Sequence, residues 1–194
     1  MAVKRVGVLA LQGDFEAHGK ALERAGAQPV EVRTAAQLED LDGLVIPGGE
    51  STTMLKLLHA ENMLEPLADF GRRKPVFGTC AGAILLANEV INPVQESLGL
   101  MDIAVERNAY GRQVDSRVAH LEPSGDFAAR THPGDLEAVF IRAPIIRRTG
   151  PDAKVLAEYH GDPVLVEQGR HLVATFHPEL TADSRVHSLF LDKL

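Results

Sequence analysis

The residue in this chain best placed to do chemistry is Cys80, the only cysteine among 194 residues. It lies within Val76-Phe77-Gly78-Thr79-Cys80-Ala81-Gly82-Ala83-Ile84-Leu85-Leu86. Gly78-x-Cys80-x-Gly82 is the sulfur counterpart of the Gly-x-Ser-x-Gly nucleophile elbow. The apolar pair Val76 and Phe77 reads as a buried strand, and Ala83 to Ala87 as the first turns of a helix. A strand that turns abruptly into a helix forces the central residue into a strained conformation, and flanking side chains would clash. The turn lifts the thiol clear of the sheet and faces it with the free N–H groups of the helix start. Those groups and the helix dipole favour a thiolate. They also suit an oxyanion on a carbonyl under attack. Taken alone, the stretch is equally compatible with an inert cysteine buried in a tight turn.

A nucleophilic thiol needs a base, and the base needs an orienting group. Phe176-His177-Pro178-Glu179 offers both at the end of an apolar run, Leu172 to Phe176. A carboxylate two residues after the histidine can reach its far ring nitrogen, fixing the tautomer and favouring the imidazolium. The bland reading of His177 is a hydrogen-bonded surface histidine. A metal site is the weaker reading of His-x-Glu, because no second ligand pair has helix or finger spacing. No metal or cofactor is expected. The other seven histidines are scattered and read as structural. A second glycine-rich turn, Pro47-Gly48-Gly49-Glu50-Ser51, follows an apolar run and lacks the Gly-Lys-Ser/Thr ending of a phosphate loop. Its glycines permit close backbone approach to a substrate and can supply a further oxyanion donor. Otherwise it is a plain turn.

These residues need a scaffold, and the first half of the chain describes one. Val6 to Leu11, Pro29 to Val32, Gly43 to Ile46 and Pro75 to Gly78 read as strands. Between them, Asp14 caps a helix with Phe15, His18, Leu22 and Ala25 on one face, ended by Gly26. Thr34-x-x-Gln37 opens a short helix through Leu41. Ser51 or Thr52 caps a helix carrying Met54, Leu55, Leu57 and Leu58, with a further helix around Leu64 to Phe70. The alternation argues a parallel sheet with helices on both faces, whose ligands bind at the carboxyl ends of the strands.

From Asn92 the pattern changes. Ile103 to Asn108, Val114 to Leu121, Ala138 to Arg142, Val155 to Tyr159 and Val164 to Glu167 are strand-like, and Gln168-Gly169-Arg170-His171 reads as a hairpin turn. Pro123 to Asp135 reads as a surface loop. Asp183 to Leu194 reads as an amphipathic helix with Val186, Leu189 and Phe190 inward. No repeat or linker divides residues 1–194, so a single domain is expected.

Composition narrows the class. The chain is 45% hydrophobic and 24% charged with net charge −7, which disfavours a nucleic-acid backbone as partner. The lone cysteine allows no intramolecular disulfide and fits a reducing compartment. The apolar run Val6 to Leu11 is short and followed by Gln12-Gly13-Asp14 rather than a small-residue cleavage site. No run approaches membrane-spanning length. A cytoplasmic protein without membrane contact is expected.

Gly-Thr-Cys-Ala-Gly, Pro-Gly-Gly-Glu-Ser-Thr-Thr and Phe-His-Pro-Glu-Leu, in that order, resemble a class I (triad-type) glutamine amidotransferase. The stretches at 7–14 (Gly-Val-Leu-Ala-Leu-Gln-Gly-Asp), 106–116 (Glu-Arg-Asn-Ala-Tyr-Gly-Arg-Gln-Val-Asp-Ser) and 140–144 (Phe-Ile-Arg-Ala-Pro) are similar to the glutaminase subunits of pyridoxal 5′-phosphate synthases. The resemblance runs from the first strand to the last helix. Arg117, where a bulky apolar residue is more usual, and Arg147-Arg148 depart from the pattern outside the motifs.

The resemblance implies an α/β, flavodoxin-like amidotransferase fold: a central, mostly parallel sheet flanked by helices, with an added antiparallel part. It implies hydrolysis of L-glutamine to L-glutamate and ammonia through a glutamyl-thioester on Cys80. His177 would shuttle the proton and Glu179 would orient it. The backbone of Gly49 and Ala81 would form the oxyanion hole, and Gly48, Gly49 and Glu50 would line the substrate. Arg107, Arg142 and the backbone of Ile141 would hold its amino-acid portion. The implied partner is a (β/α)8 synthase subunit in a large hetero-oligomer, which receives the ammonia and makes pyridoxal 5′-phosphate (vitamin B6). Rival readings are a glutaminase for another amidotransferase complex, a non-catalytic module on the same fold, and a thiol hydrolase with the same elbow. The last usually lacks the distal His-Pro-Glu.

Overall fold

The computed structural model describes residues 2–109 and 116–194. In chain order it has β1 (Arg5–Leu9), α1 (Phe15–Arg24), β2 (Gln28–Val32), β3 (Gly43–Ile46), α2 (Ser51–Ala60), α3 (Leu64–Arg73), β4 (Val76–Thr79) and α4 (Ala81–Leu86). There follow β5 (Ala87–Ile91), β6 (Met101–Glu106), β7 (Ser116–Leu121), α5 (Gly125–Arg130), β8 (Leu136–Ile141) and β9 (Ile145–Thr149). The chain closes with β10 (Lys154–Tyr159), β11 (Asp162–Gln168), β12 (His171–Ala174) and α6 (Arg185–Leu191).

The main sheet has the order β10-β11-β12-β4-β3-β1-β2. The five strands from β12 to β2 are parallel, and β11 runs antiparallel to both its neighbours. Its inner strands β1, β3, β4 and β12 are apolar on both faces because both faces are covered. Leu44 and Ile46 of β3 face a core shared with Met54 and Leu58 of α2, Leu67 of α3 and Leu85 of α4. Val45, one residue along, faces a second core with Leu22 of α1 and with Val186 and Phe190 of α6. This alternation is what period-two side-chain geometry gives when helices cover both sides.

The antiparallel part has two pieces. β5, β6 and β9 form a three-stranded sheet in which β5 and β6 are parallel and β6 and β9 antiparallel, and β7 and β8 form an antiparallel pair. Among the described residues, no helix is long and apolar enough to cross a membrane.

Several local readings of the sequence need correction. The helix after the elbow stops at Leu86, and Ala87 begins β5 at once. The Thr34 box opens only one 3-10 turn, Ala35–Leu38, in which the Gln37 side chain accepts from the Thr34 N–H at 3.0 Å. The loop expected over 123–135 contains α5, capped by Ser124 and anchored by a fully buried Phe127. Full burial of one aromatic side chain contributes about 2–3 kcal/mol, enough to organise a short polar segment. β9 was not expected as a strand, since Arg147-Arg148 interrupts its apolar pattern. There Arg147 pairs with Glu106 and Arg148 with Asp102 across the β6 edge. Of the strand expected over 114–121, Val114 and Asp115 lie outside the described residues.

Candidate active site

Cys80 sits where β4 ends, with φ 51° and ψ −108°. A residue with a side chain is strained there. Its N–H donates to Ala174 O of the adjacent β12 at 2.9 Å, which ties the strained residue to the sheet. The elbow glycines are needed for space. A Cβ on Gly78 would lie 2.5 Å from the Gly82 carbonyl, and one on Gly82 would lie 2.1 Å from Ile46 O. The close approach lets α4 start directly at Ala81, whose N–H has no intrahelical acceptor.

His177 follows β12, held by its N–H to Val139 O at 2.8 Å. Its Nδ1 lies 2.6 Å from Oε1 of Glu179, which sits in the 3-10 turn Pro178–Leu180. Burial opposes a charge on this ring. Hydrogen bonding and charge interaction with Cys80 and Glu179 outweigh that and push His177 up to about 10. Near neutral pH it is an imidazolium beside Cys80, able to give a proton to a leaving group.

A cleft of about 310 Å³ opens over Cys80 and His177. Gly49, Glu50, Ala81, Arg107, Ile141 and Arg142 all line it, together with Ser51, Ile84, Asn108, Ala143 and Pro144, to which the sequence reading gave no part in the site. Gly48 is wedged behind the reacting pair instead. A Cβ there would lie 2.7 Å from His177 Cε1 and 3.1 Å from Cys80 Cβ, while its carbonyl oxygen rests against Gly13.

Glu50, and not Ser51 or Thr52, is the N-cap of α2. It is extended, and its carboxylate accepts from Thr52 N–H at 3.2 Å and Thr53 N–H at 2.7 Å. Partial burial works against its charge, but these hydrogen bonds win and lower its pKa. Arg107 donates from Nη2 to Thr52 Oγ1 at 2.6 Å and lies 3.8 Å from Glu50 Oε1. Its Nε is buried with no hydrogen-bond partner among the described residues. Arg142, at φ 47°, is exposed on the cleft wall. Of the stretch at 106–116 that carries Arg107, residues 110–115 lie outside the described part.

Two of the histidines read as structural lie close to the site. His18 of α1 is fully buried behind Glu179, and His187 of α6 is fully buried against His18. His18 Nε2 lies 3.4 Å from Glu179 Oε2 and 3.0 Å from Thr79 Oγ1, and its Nδ1 lies 3.0 Å from His187 Nε2. The available signal was a histidine on the apolar face of α1. Nothing in the pattern said what it would meet.

This fold and this arrangement of cysteine, histidine and carboxylate define a glutamine amidotransferase. A crystal structure described as a glutamine amidotransferase matches with TM-score 0.87 at 47% identity, over 97% of each chain. More particularly, residues 8–194 match the SNO glutamine amidotransferase family, and the chain belongs to that family. It is similar to the pyridoxal 5′-phosphate synthase subunit PdxT of Solibacter usitatus (strain Ellin6076), at 70% identity over 192 residues, 99% of this chain and 100% of that one. The subunit of the same name from Koribacter versatilis (strain Ellin345) is 56% identical over 187 residues, 96% of this chain and 94% of that one.

Proposed function

We propose that this chain is the glutaminase of a pyridoxal 5′-phosphate synthase and that Cys80, His177 and Glu179 carry its chemistry. It hydrolyses L-glutamine to L-glutamate and ammonia and supplies the ammonia for synthesis of pyridoxal 5′-phosphate. The observation that carries the assignment of residues is the 2.6 Å contact from His177 Nδ1 to Glu179 Oε1, with the other side of the ring given to Cys80.

The cycle follows from that geometry. The Cys80 sulfur attacks the side-chain amide carbon of glutamine, and the carbonyl oxygen takes up the negative charge against the N–H groups of Ala81 and Gly49. His177 passes its proton to the amide nitrogen, the C–N bond breaks, and ammonia leaves a glutamyl-thioester. The now neutral His177 takes a proton from water, whose oxygen attacks the thioester. Collapse releases glutamate and expels the Cys80 thiolate, and His177 keeps the proton it took from water, which restores the thiolate–imidazolium pair that began the cycle. Arg107 and Arg142, with the Ile141 backbone, hold the amino-acid end. A fixed guanidinium suits the α-carboxylate, and the unpartnered Arg107 Nε supports that role.

The partner is a (β/α)8 synthase subunit in a hetero-oligomer that takes up the ammonia. The test measures glutamate release from glutamine by the purified chain alone, with a pyridoxal phosphate synthase subunit, and with Cys80→Ala in place of the native chain. The reading requires release that rises on mixing and disappears in the variant. Release that a different amidotransferase synthase stimulates instead would reassign the partner. Release that survives Cys80→Ala would reject the triad.

A further inference from the structure

We propose that His18, itself oriented by His187, is a positioning residue for this reaction: its Nε2–H supports the outer oxygen of Glu179 while the inner oxygen orients His177. The inference rests on the triad reading above and extends it two residues inward, from the active-site cleft through the core to α6.

Geometry first brings the groups into line. His177 Nδ1 meets Glu179 Oε1 at 2.6 Å, Glu179 Oε2 faces His18 Nε2 at 3.4 Å, and His18 Nδ1 meets His187 Nε2 at 3.0 Å. Glu179, His18 and His187 are each buried to at least 95%. Phe77 packs edge-on against both histidine rings, with centroids 6.3 Å from His18 and 5.6 Å from His187, so neither ring is free to turn.

The proton positions follow from what the ring nitrogens meet. Burial, then the neighbouring His187 and His177, hold His18 well below the usual histidine range, so it carries one N–H. Burial and then Arg24 push His187 down to about 3, so it too is neutral. His187 Nδ1 is buried with no hydrogen-bond partner among the described residues. A proton there would leave a buried donor unsatisfied, which costs more than an unused lone pair. The His187 proton therefore sits on Nε2 and donates to His18 Nδ1. That places the His18 proton on Nε2, between Thr79 Oγ1 at 3.0 Å and Glu179 Oε2 at 3.4 Å.

The consequence lies in the reaction. Glu179 Oε2 is buried without a hydrogen bond of normal geometry. While His177 is an imidazolium, its charge compensates the carboxylate. When His177 passes its proton to the departing ammonia, Glu179 keeps the Nδ1–H bond on Oε1 but loses the cation beside it, in a dry site. The His18 Nε2–H, which meets Thr79 Oγ1 at 3.0 Å with Oε2 3.4 Å away, lowers the cost of that moment through its attraction to the carboxylate. The charged and titratable groups that face this chain are Cys80 at the end of β4, His177 and Glu179 after β12, His18 and Arg24 of α1, and His187 of α6, with Arg107 and Arg142 across the cleft.

The experiment uses the chain assembled with its synthase subunit and compares His18→Leu with His18→Gln, whose amide nitrogen can stand where Nε2 stood. His18→Leu is expected to lower kcat at neutral pH about tenfold, the worth of one hydrogen bond to a charged group. KM for glutamine stays at the native value, because the cleft wall is untouched. The alkaline limb of kcat moves to higher pH, since an unsupported Glu179 holds the His177 proton more tightly. His18→Gln restores most of the rate and the native limb. Equal losses in both variants with an unmoved pH profile would make His18 a packing residue and overturn the proposal. Should both variants fail to fold, 15N chemical shifts of the histidine rings in the native chain decide: a protonated Nδ1 on His18 overturns the proposal, and a protonated Nε2 sustains it. If the native complex itself released no glutamate, the triad reading would fall, and this distinguishes the two failures.

Discussion

His177 Nδ1 and Glu179 Oε1 lie 2.6 Å apart, and their side chains are 11% and 0% exposed. In the proposed reaction that contact fixes one nitrogen on the carboxylate and leaves the other to serve Cys80. Glu179→Gln keeps the shape and removes the charge, so the ring loses both its fixed tautomer and its support as a cation. The expected result is a fall in kcat of about 10²–10⁴-fold with KM for glutamine little changed, measured as glutamate release with the synthase subunit present.

Gly48 tests spacing separately from chemistry. Its φ is not positive, so alanine is acceptable to the backbone, but the added Cβ would lie 2.7 Å from His177 Cε1 and 3.1 Å from Cys80 Cβ. Gly48→Ala should lower kcat by roughly 10²-fold through displacement of the reacting pair, with the far-UV spectrum unchanged. The control is Gly125→Ala at the start of α5, where a Cβ meets nothing within 4 Å. That change should leave activity alone and raise stability by about 0.4–1 kcal/mol. Equal activity in the two variants would show that the contact at Gly48 does not matter.

Among the described residues, Arg107 carries a buried Nε with no hydrogen-bond partner while Nη2 is committed to Thr52. Arg107→Met keeps most of the apolar stem and removes the donors. KM should rise about 10- to 100-fold, as expected for a charged hydrogen bond to substrate, with a much smaller change in kcat. A fall in kcat at unchanged KM would move Arg107 from binding to chemistry.

Acid should unfold this protein through its buried histidines. Burial is the leading cause for each of three: His18 lies well below the usual range, His171 at about 4 and His187 at about 3. Their folded pKa values lie below the unfolded value of 6.5, so the unfolded chain binds more protons as pH falls. The stability they carry is full above pH 6.5 and is lost as pH drops from there toward 4. Each contributes a slope of about 1.4 kcal/mol per pH unit in that window. His177 has the opposite sign: its folded value, about 10, is raised, so its contribution is full below 6.5 and lost as pH rises through 10. Urea midpoints between pH 7.5 and 4.5 measure the acid slope. His187→Phe should flatten it by about one histidine's share, and an unchanged slope would contradict the buried neutral state.

The main sheet and the reacting groups were legible because local rules fix them. Apolar runs of strand length separated by capped helices gave the parallel strands, since the inner strands β1, β3, β4 and β12 are buried on both faces and carry their own signal. Gly78-x-Cys80-x-Gly82 and His177-x-Glu179 declare themselves because an elbow and a carboxylate–imidazole pair each depend on residues two positions apart. β5, β9 and α5 were less legible, because short elements are decided by what packs on them. Ala87 leaves its helix to pair with β6, and Phe127 organises α5 by reaching a core its own neighbours do not reveal.

By itself, then, the sequence determined the class of fold and singled out the cysteine, histidine and glutamate proposed as nucleophile, base and orienting acid. Only the tertiary structure decided that Glu50 caps α2, that Gly48 backs the reacting pair, and that behind Glu179 stands His18, packed against His187. The last two meet across 169 positions of chain. A contact of that separation leaves no periodic trace in the sequence, because it exists only once helices from both ends of the chain are packed on the same face of the sheet.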